Sequence, residues 1–137
     1  MERNHVDDFY TGQYYEKQFA VSEEMGMRFA EISGDYNPIH LDGREAAGSR
    51  FGRKIVHGML IGSYFSGVIG NEFPGAGSVY IRQEMLFRRP VYYDMECTIR
   101  IEVCEIDREK HHVSLKTQCY DSDRTLLVDG SATILLD

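Results

Sequence analysis

The spacing of apolar positions changes once along the chain, near Gly77. Before it the apolar residues recur at helical intervals, and after it they alternate. Tyr14 to Ala20 has the length of a first strand. Ser22 then suits a helix N-cap, with Glu23 and Glu24 in the favourable first turn. Met25, Phe29 and Ile32 follow at helical spacing, which predicts an amphipathic helix of roughly three turns. Gly34 is the expected stop. Residues 57–71, HGMLIGSYFSGVIGN, are apolar on most sides and predict a second, buried helix. Four glycines inside it cost helix propensity and point to close backbone approach by neighbouring elements.

Beyond Gly77 four alternating sets predict strands: Val79, Ile81, Met85 and Phe87; Ile99, Ile101 and Val103; Val113, Leu115, Thr117 and Cys119; Leu126, Val128, Ala132 and Ile134. Polar connectors of hairpin length, 107–110 and 121–124, join the later ones. Consecutive strands without helical crossovers pair antiparallel. A sheet with an apolar face must cover it, and helix 57–71 is the cover. The predicted class is therefore α+β, an antiparallel sheet wrapped around a long central helix. Strands with apolar residues on both faces, Leu86 beside Phe87 and Leu127 beside Val128, leave more apolar surface than one helix covers, which suggests a subunit interface.

Length sets the scale: 137 residues suit one domain, 1–137, with residues 1–12 as a loosely ordered lead-in. A hydrophobic fraction of 42% excludes a mainly disordered polymer. No apolar run approaches the ~20 residues of a membrane span, and the acidic N-terminus resembles no leader, so a cytoplasmic protein is expected. The net charge of −7 argues against nucleic acid as a partner. Cys97, Cys104 and Cys119 are odd in number and far apart, which fits reduced thiols rather than a metal site.

The chemistry is concentrated in Ser33-Gly34-Asp35-Tyr36-Asn37-Pro38-Ile39-His40-Leu41-Asp42. On a continuous helix Asp35 and His40 would be about 500° apart in rotation and would diverge. With the helix ended at Gly34 and the chain kept extended by Pro38, they can converge. A carboxylate and an imidazole converging on one water make an acid/base pair. The competing reading of an isolated D-x-N-P-x-H is a surface turn. A second feature adds weight: Ile55-Val56-His57-Gly58-Met59 opens the buried helix. The free N–H groups and positive end of a helix start can polarise a carbonyl oxygen, and Gly58 admits a ligand to the backbone. For His57 a structural role is expected.

Residues 33–60 resemble the MaoC-like family of (R)-specific enoyl-CoA hydratases. The resemblance rests on Gly34-Asp35-Tyr36-Asn37-Pro38-Ile39-His40, Ala46-Ala47, Ile55-Val56-His57-Gly58-Met59 and Phe65-Ser66-Gly67, and extends more weakly through Pro74-Gly75 and Gly77-Ser78. It implies a hot-dog fold and a homodimer. It further implies addition of water to trans-2-enoyl-CoA giving (R)-3-hydroxyacyl-CoA, or the reverse. Asp35 and His40 would be the catalytic dyad. Among substrate-binding positions, the Gly58 N–H would hold the thioester carbonyl, Asn37 would shape the overhanging loop and Ser66 would support the catalytic segment. No metal and no separate cofactor are implied, coenzyme A being part of the substrate.

The alternatives are dehydration of a 3-hydroxyacyl thioester on an acyl carrier protein, thioester hydrolysis, and a non-catalytic acyl-CoA sensor. Elsewhere, His111-His112 is expected to be an exposed pair. Phe65, Phe73, Tyr80 and Phe87 are expected in the core or an interface. Arg88-Arg89-Pro90 could meet coenzyme A phosphates, with Arg50, Arg53 and Lys54 as rivals, but a solvated charged face is the expectation for each.

Overall fold

The computed structural model describes residues 2–137. Strand β1 (Tyr14–Phe19) leads into helix α1 (Glu23–Ser33). Two short helices follow, α2 (Pro38–Leu41) and α3 (Gly43–Ala47), then the long helix α4 (Gly58–Asn71). Strands β2 (Val79–Phe87), β3 (Cys97–Asp107), β4 (His112–Asp121) and β5 (Leu126–Leu135) complete the chain. The strands form one sheet in the order β1-β3-β4-β5-β2, every neighbouring pair antiparallel.

Helix α4 is the covering element that the hydropathy pattern requires. Ile61, Phe65, Val68 and Ile69 are buried on it, in one cluster with Ile99, Ile101 and Val103 of β3, Val113 and Leu115 of β4 and Ile134 of β5. Burial of each such side chain contributes about 1.5–3 kcal/mol. The predicted inner faces of β3 and β4 hold, and so do Val128, Ala132 and Ile134 of β5. Leu127 is buried as well, because a bulge between β4 and β5 places it beside Val128 on the inner side. It therefore adds nothing to an exposed apolar surface.

Three further expectations need correction. Val79, Ile81, Met85 and Phe87 do not form one buried face: a bulge at Ile81 breaks the alternation, and Val79, Ile81 and Phe87 are exposed on an edge strand. In α1 the Ser22 hydroxyl caps the Met25 N–H, as expected, but the inward residues are Gly26 and Ala30, while Ile32 is 85% exposed. Gly26 lets the Tyr93 ring pack against the helix, and of the expected apolar set only Phe29 packs against the core, Met25 and Ile32 being exposed. The lead-in is held: Val6 and Phe9 are buried in the core cluster, and the Asn4 N–H bonds the Ala76 carbonyl at 2.8 Å. Residue 1 of that lead-in lies outside the described residues.

Candidate active site

Gly34 ends α1 in the left-handed region, at φ 78°, with its N–H bonded to the Ala30 carbonyl. This turns the chain away from the helix axis and puts Asp35 at the corner. The Ser33 hydroxyl accepts from the Asp35 N–H at 3.1 Å, and Asp35 Oδ1 accepts from the Asn37 N–H at 3.1 Å. Asn37 is extended, as a residue before proline should be. The chain does not stay extended beyond it. Pro38 is the first residue of a one-turn helix, its preformed φ suiting that position, and the Asn37 side chain caps it through the Ile39 N–H. That single turn carries His40 back toward Asp35.

His40 Nε2 lies 4.0 Å from Asp35 Oδ2. On its other side His40 Nδ1 donates to the Ile55 carbonyl at 2.8 Å, which fixes the tautomer and leaves the Nε2 lone pair facing the carboxylate. Burial holds the His40 pKa below its usual value near 6.5, opposed by the Ile55 carbonyl; His57 lowers it further and Asp35 raises it. The imidazole is thus neutral at pH 7, and two proton acceptors face each other across 4.0 Å. Direct hydrogen bonding needs a shorter separation, whereas a water donating to both fits such a gap.

His57 was expected to be structural, and it is, with a direct bearing on the dyad. It is 1% exposed, its Nε2 donates to the Asp35 backbone carbonyl at 3.0 Å, and its ring stacks on His40 at 4.0 Å between centroids. The Phe29 ring closes the far side edge-on. His57 does not cap α4 by its side chain, and its Nδ1 is buried without a partner. The contact with Asp35 spans 22 residues, and no local pattern in the sequence signals it. Asp35, His40 and His57 are close enough to count as a metal-donor cluster. The rings of the two histidines are stacked only 24° from parallel, so their in-plane lone pairs run side by side instead of converging on one ion.

These groups open into a cavity of about 420 Å³ lined by Asp35, His40, Ile55, His57, Gly58 and Phe87, among others. Gly58 is the first residue of the 14-residue α4, so its N–H has no carbonyl within the helix. A Cβ at Gly58 would stand 2.9 Å from the Phe87 ring, so glycine is needed for packing as well as for access. A larger apolar hollow of about 590 Å³ between β1, α1 and α4 contains no histidine, and its Lys17 and Glu72 are tied to each other.

Two expected site residues stand elsewhere within the chain. Asn37 faces its own loop: its side chain caps α2 and is not among the residues that line the cavity, which fits the expected part in shaping the loop. Ser66 is exposed two turns along α4, in a groove with Met59, Gly62, Tyr80 and Met85, and does not support the Asp35–His40 segment.

Residues 9–123 match the MaoC like domain family, and the chain belongs to that family. It is 40% identical over 120 residues to the (R)-specific enoyl-CoA hydratase of Aeromonas caviae, covering 88% of each chain. It is 38% identical over 111 residues to the mitochondrial 3-hydroxyacyl-[acyl-carrier-protein] dehydratase of Arabidopsis thaliana, covering 79% of this chain and 66% of that one. The solved (R)-hydratase from A. caviae superposes with a TM-score of 0.90 at 36% identity, covering 94% of this chain and 98% of that one. The fold is accordingly the hot dog.

Proposed function

We propose that this protein is a hydro-lyase, an (R)-specific enoyl-CoA hydratase that adds water across the C2=C3 bond of trans-2-enoyl-CoA or runs the reverse dehydration. The observation that carries the reading is the pair of acceptors, Asp35 Oδ2 and His40 Nε2, set 4.0 Å apart beside the start of α4. One water donating a hydrogen bond to each has its oxygen free to attack. An enoyl thioester is electrophilic at C3, and attack there pushes electron density onto the thioester oxygen. The Gly58 N–H at the positive end of α4 stabilises that oxygen. The proton lost by water passes to the dyad and is returned to C2, so the elements of water are added with nothing left over. The reaction involves no electron transfer and needs no metal; coenzyme A arrives with the substrate.

Dehydration of a carrier-protein thioester uses the same dyad, and a relative carries that name. Passive sensing does not require an acid/base pair opposite an oxyanion donor; thioester hydrolysis can use the same groups and is distinguished by release of free thiol. Incubation with crotonyl-CoA tests the reading. The enoyl ultraviolet band should fall without release of thiol, and chiral chromatography should give the (R)-3-hydroxy product. Thiol release, or no reaction, would reject it.

We further propose a homodimer. Strand β2 is an unpaired edge, and Val79, Ile81, Leu86 and Phe87 on it are exposed together with Met59 of α4. An exposed apolar edge invites pairing, and a second copy of β2 would cover it. The expected setting is fatty-acyl metabolism in the cytoplasm, where the three free thiols would stay reduced.

A further inference from the structure

Helix α2 carries the imidazole of the dyad but has a single turn, Pro38–Leu41. A helix that short cannot hold its own place, because one turn gains too few internal hydrogen bonds to offset the cost of nucleation. Its carbonyls are held largely from outside. Pro38 accepts from the Asp42 N–H at 2.8 Å, and Ile39 accepts from the Ile55 N–H at 3.2 Å. The His40 carbonyl accepts from the Tyr93 hydroxyl at 3.0 Å, across 53 positions of sequence. Tyr93 is not among the residues that line the cavity.

Tyr93 is itself anchored. The Val91 carbonyl accepts from the Val56 N–H at 2.8 Å, and the Asp94 N–H donates to the Val21 carbonyl at 2.8 Å. Asp94 does so at φ 63°, a left-handed conformation that a non-glycine residue adopts at a cost. Val21 stands just before α1 and Val56 just before α4, so Tyr93 rides on a segment tied to the approach of both long helices. Its ring lies against α1 at Gly26. A Cβ there would stand 2.3 Å from the Tyr93 hydroxyl oxygen and 2.8 Å from two ring carbons. Glycine inside a helix is unfavourable relative to alanine. Here the space it leaves is filled by the end of the tyrosine that bears the donor. Burial, with Glu23 adding to it, holds the Tyr93 phenol above its ordinary pKa near 10, so it keeps its proton at neutral pH.

Both members of the dyad are thus held by their backbone carbonyls, Asp35 by His57 and His40 by Tyr93, each at 3.0 Å. We propose that Tyr93 is a positioning residue for the hydration reaction: by holding the His40 carbonyl it fixes the 4.0 Å separation across which Asp35 and His40 share a water. The proposal rests on the reading of that pair as the acid/base dyad. A small displacement of His40 costs rate and not binding, because the Gly58 N–H and the cavity walls that take the substrate stay where they are.

Kinetics on crotonyl-CoA with Y93F, G26A and the double variant test it, with circular dichroism as the control for folding. Y93F should lose about tenfold in kcat with KM within about twofold of wild type, a split that lost binding would not give. G26A displaces the hydroxyl without removing it and should lose a similar factor. Because both variants break one hydrogen bond, the losses should not multiply: Y93F/G26A should match G26A within about twofold. A wild-type kcat in Y93F or in G26A, a change confined to KM, or losses that multiply would overturn the proposal. Hydrogen exchange reads the hold on α2 without turnover. The Ile55 N–H, bonded to the Ile39 carbonyl next to His40, should exchange about tenfold faster in Y93F. Unchanged exchange would overturn the hold whatever the activity, whereas faster exchange in a protein that hydrates nothing would uphold it and reject the hydratase.

Discussion

At the scale of single residues, the site depends on keeping two neighbouring groups as acceptors. His40 spends its Nδ1 proton on Ile55, and burial disfavours a second proton. Because the folded pKa is lowered, the neutral form is the working one, and acid protonates it only below the usual value near 6.5. The same shift makes the contribution of His40 to stability complete above that value and progressively lost as pH falls through it, because the unfolded chain takes up the proton first. The acid limb of kcat/KM should therefore lie below 6.5, and H57N, which removes a neighbour that lowers the His40 pKa, should move the limb upward. A pH–rate profile of both proteins checks this. A wild-type limb above 6.5, or no movement in the variant, would count against the neutral His40. The convergence of Asp35 and His40 was legible because Gly34 and Pro38 mark where a helix cannot continue. The hold of His57 on the Asp35 carbonyl was not, since it joins segments that only tertiary packing brings together.

At the scale of elements, periodicity located all five strands and both long helices, because each has one face that must leave water. It failed where geometry departs from a regular period. Ile81 and Leu127 sit at bulges, and one extra residue flips the alternation that follows. Helix α2 has only one turn, too short to show a period; its signals were Asn37 as cap and Pro38 at the first position. Helix α1 buries its glycine and alanine face because Tyr93 needs the room, a demand set by a residue 67 positions away from Gly26. The consequence for function is positional. Helix α1 ends where Asp35 must stand, α2 returns His40 to it, and α4 starts where an acyl oxygen would rest.

For the whole molecule, the sheet has two edges, β1 and β2, and the apolar residues gather on the second. Ser66 and its groove between α4 and β2 lie on that same side, which accounts for a polar residue on α4 that the dyad of its own chain does not use. Sedimentation at micromolar concentration should give a dimer, and I81K, placing a charge on the edge, should shift it to monomer; a monomeric wild type would remove the interface from the account. The central claim, however, is a shared water between Asp35 and His40, and its most direct test is turnover of crotonyl-CoA by D35N and H40Q with circular dichroism as the control for folding. Each variant should keep the wild-type spectrum and lose about 10²–10⁴-fold in kcat. A folded variant of either kind that hydrates the substrate at the wild-type rate would contradict the account.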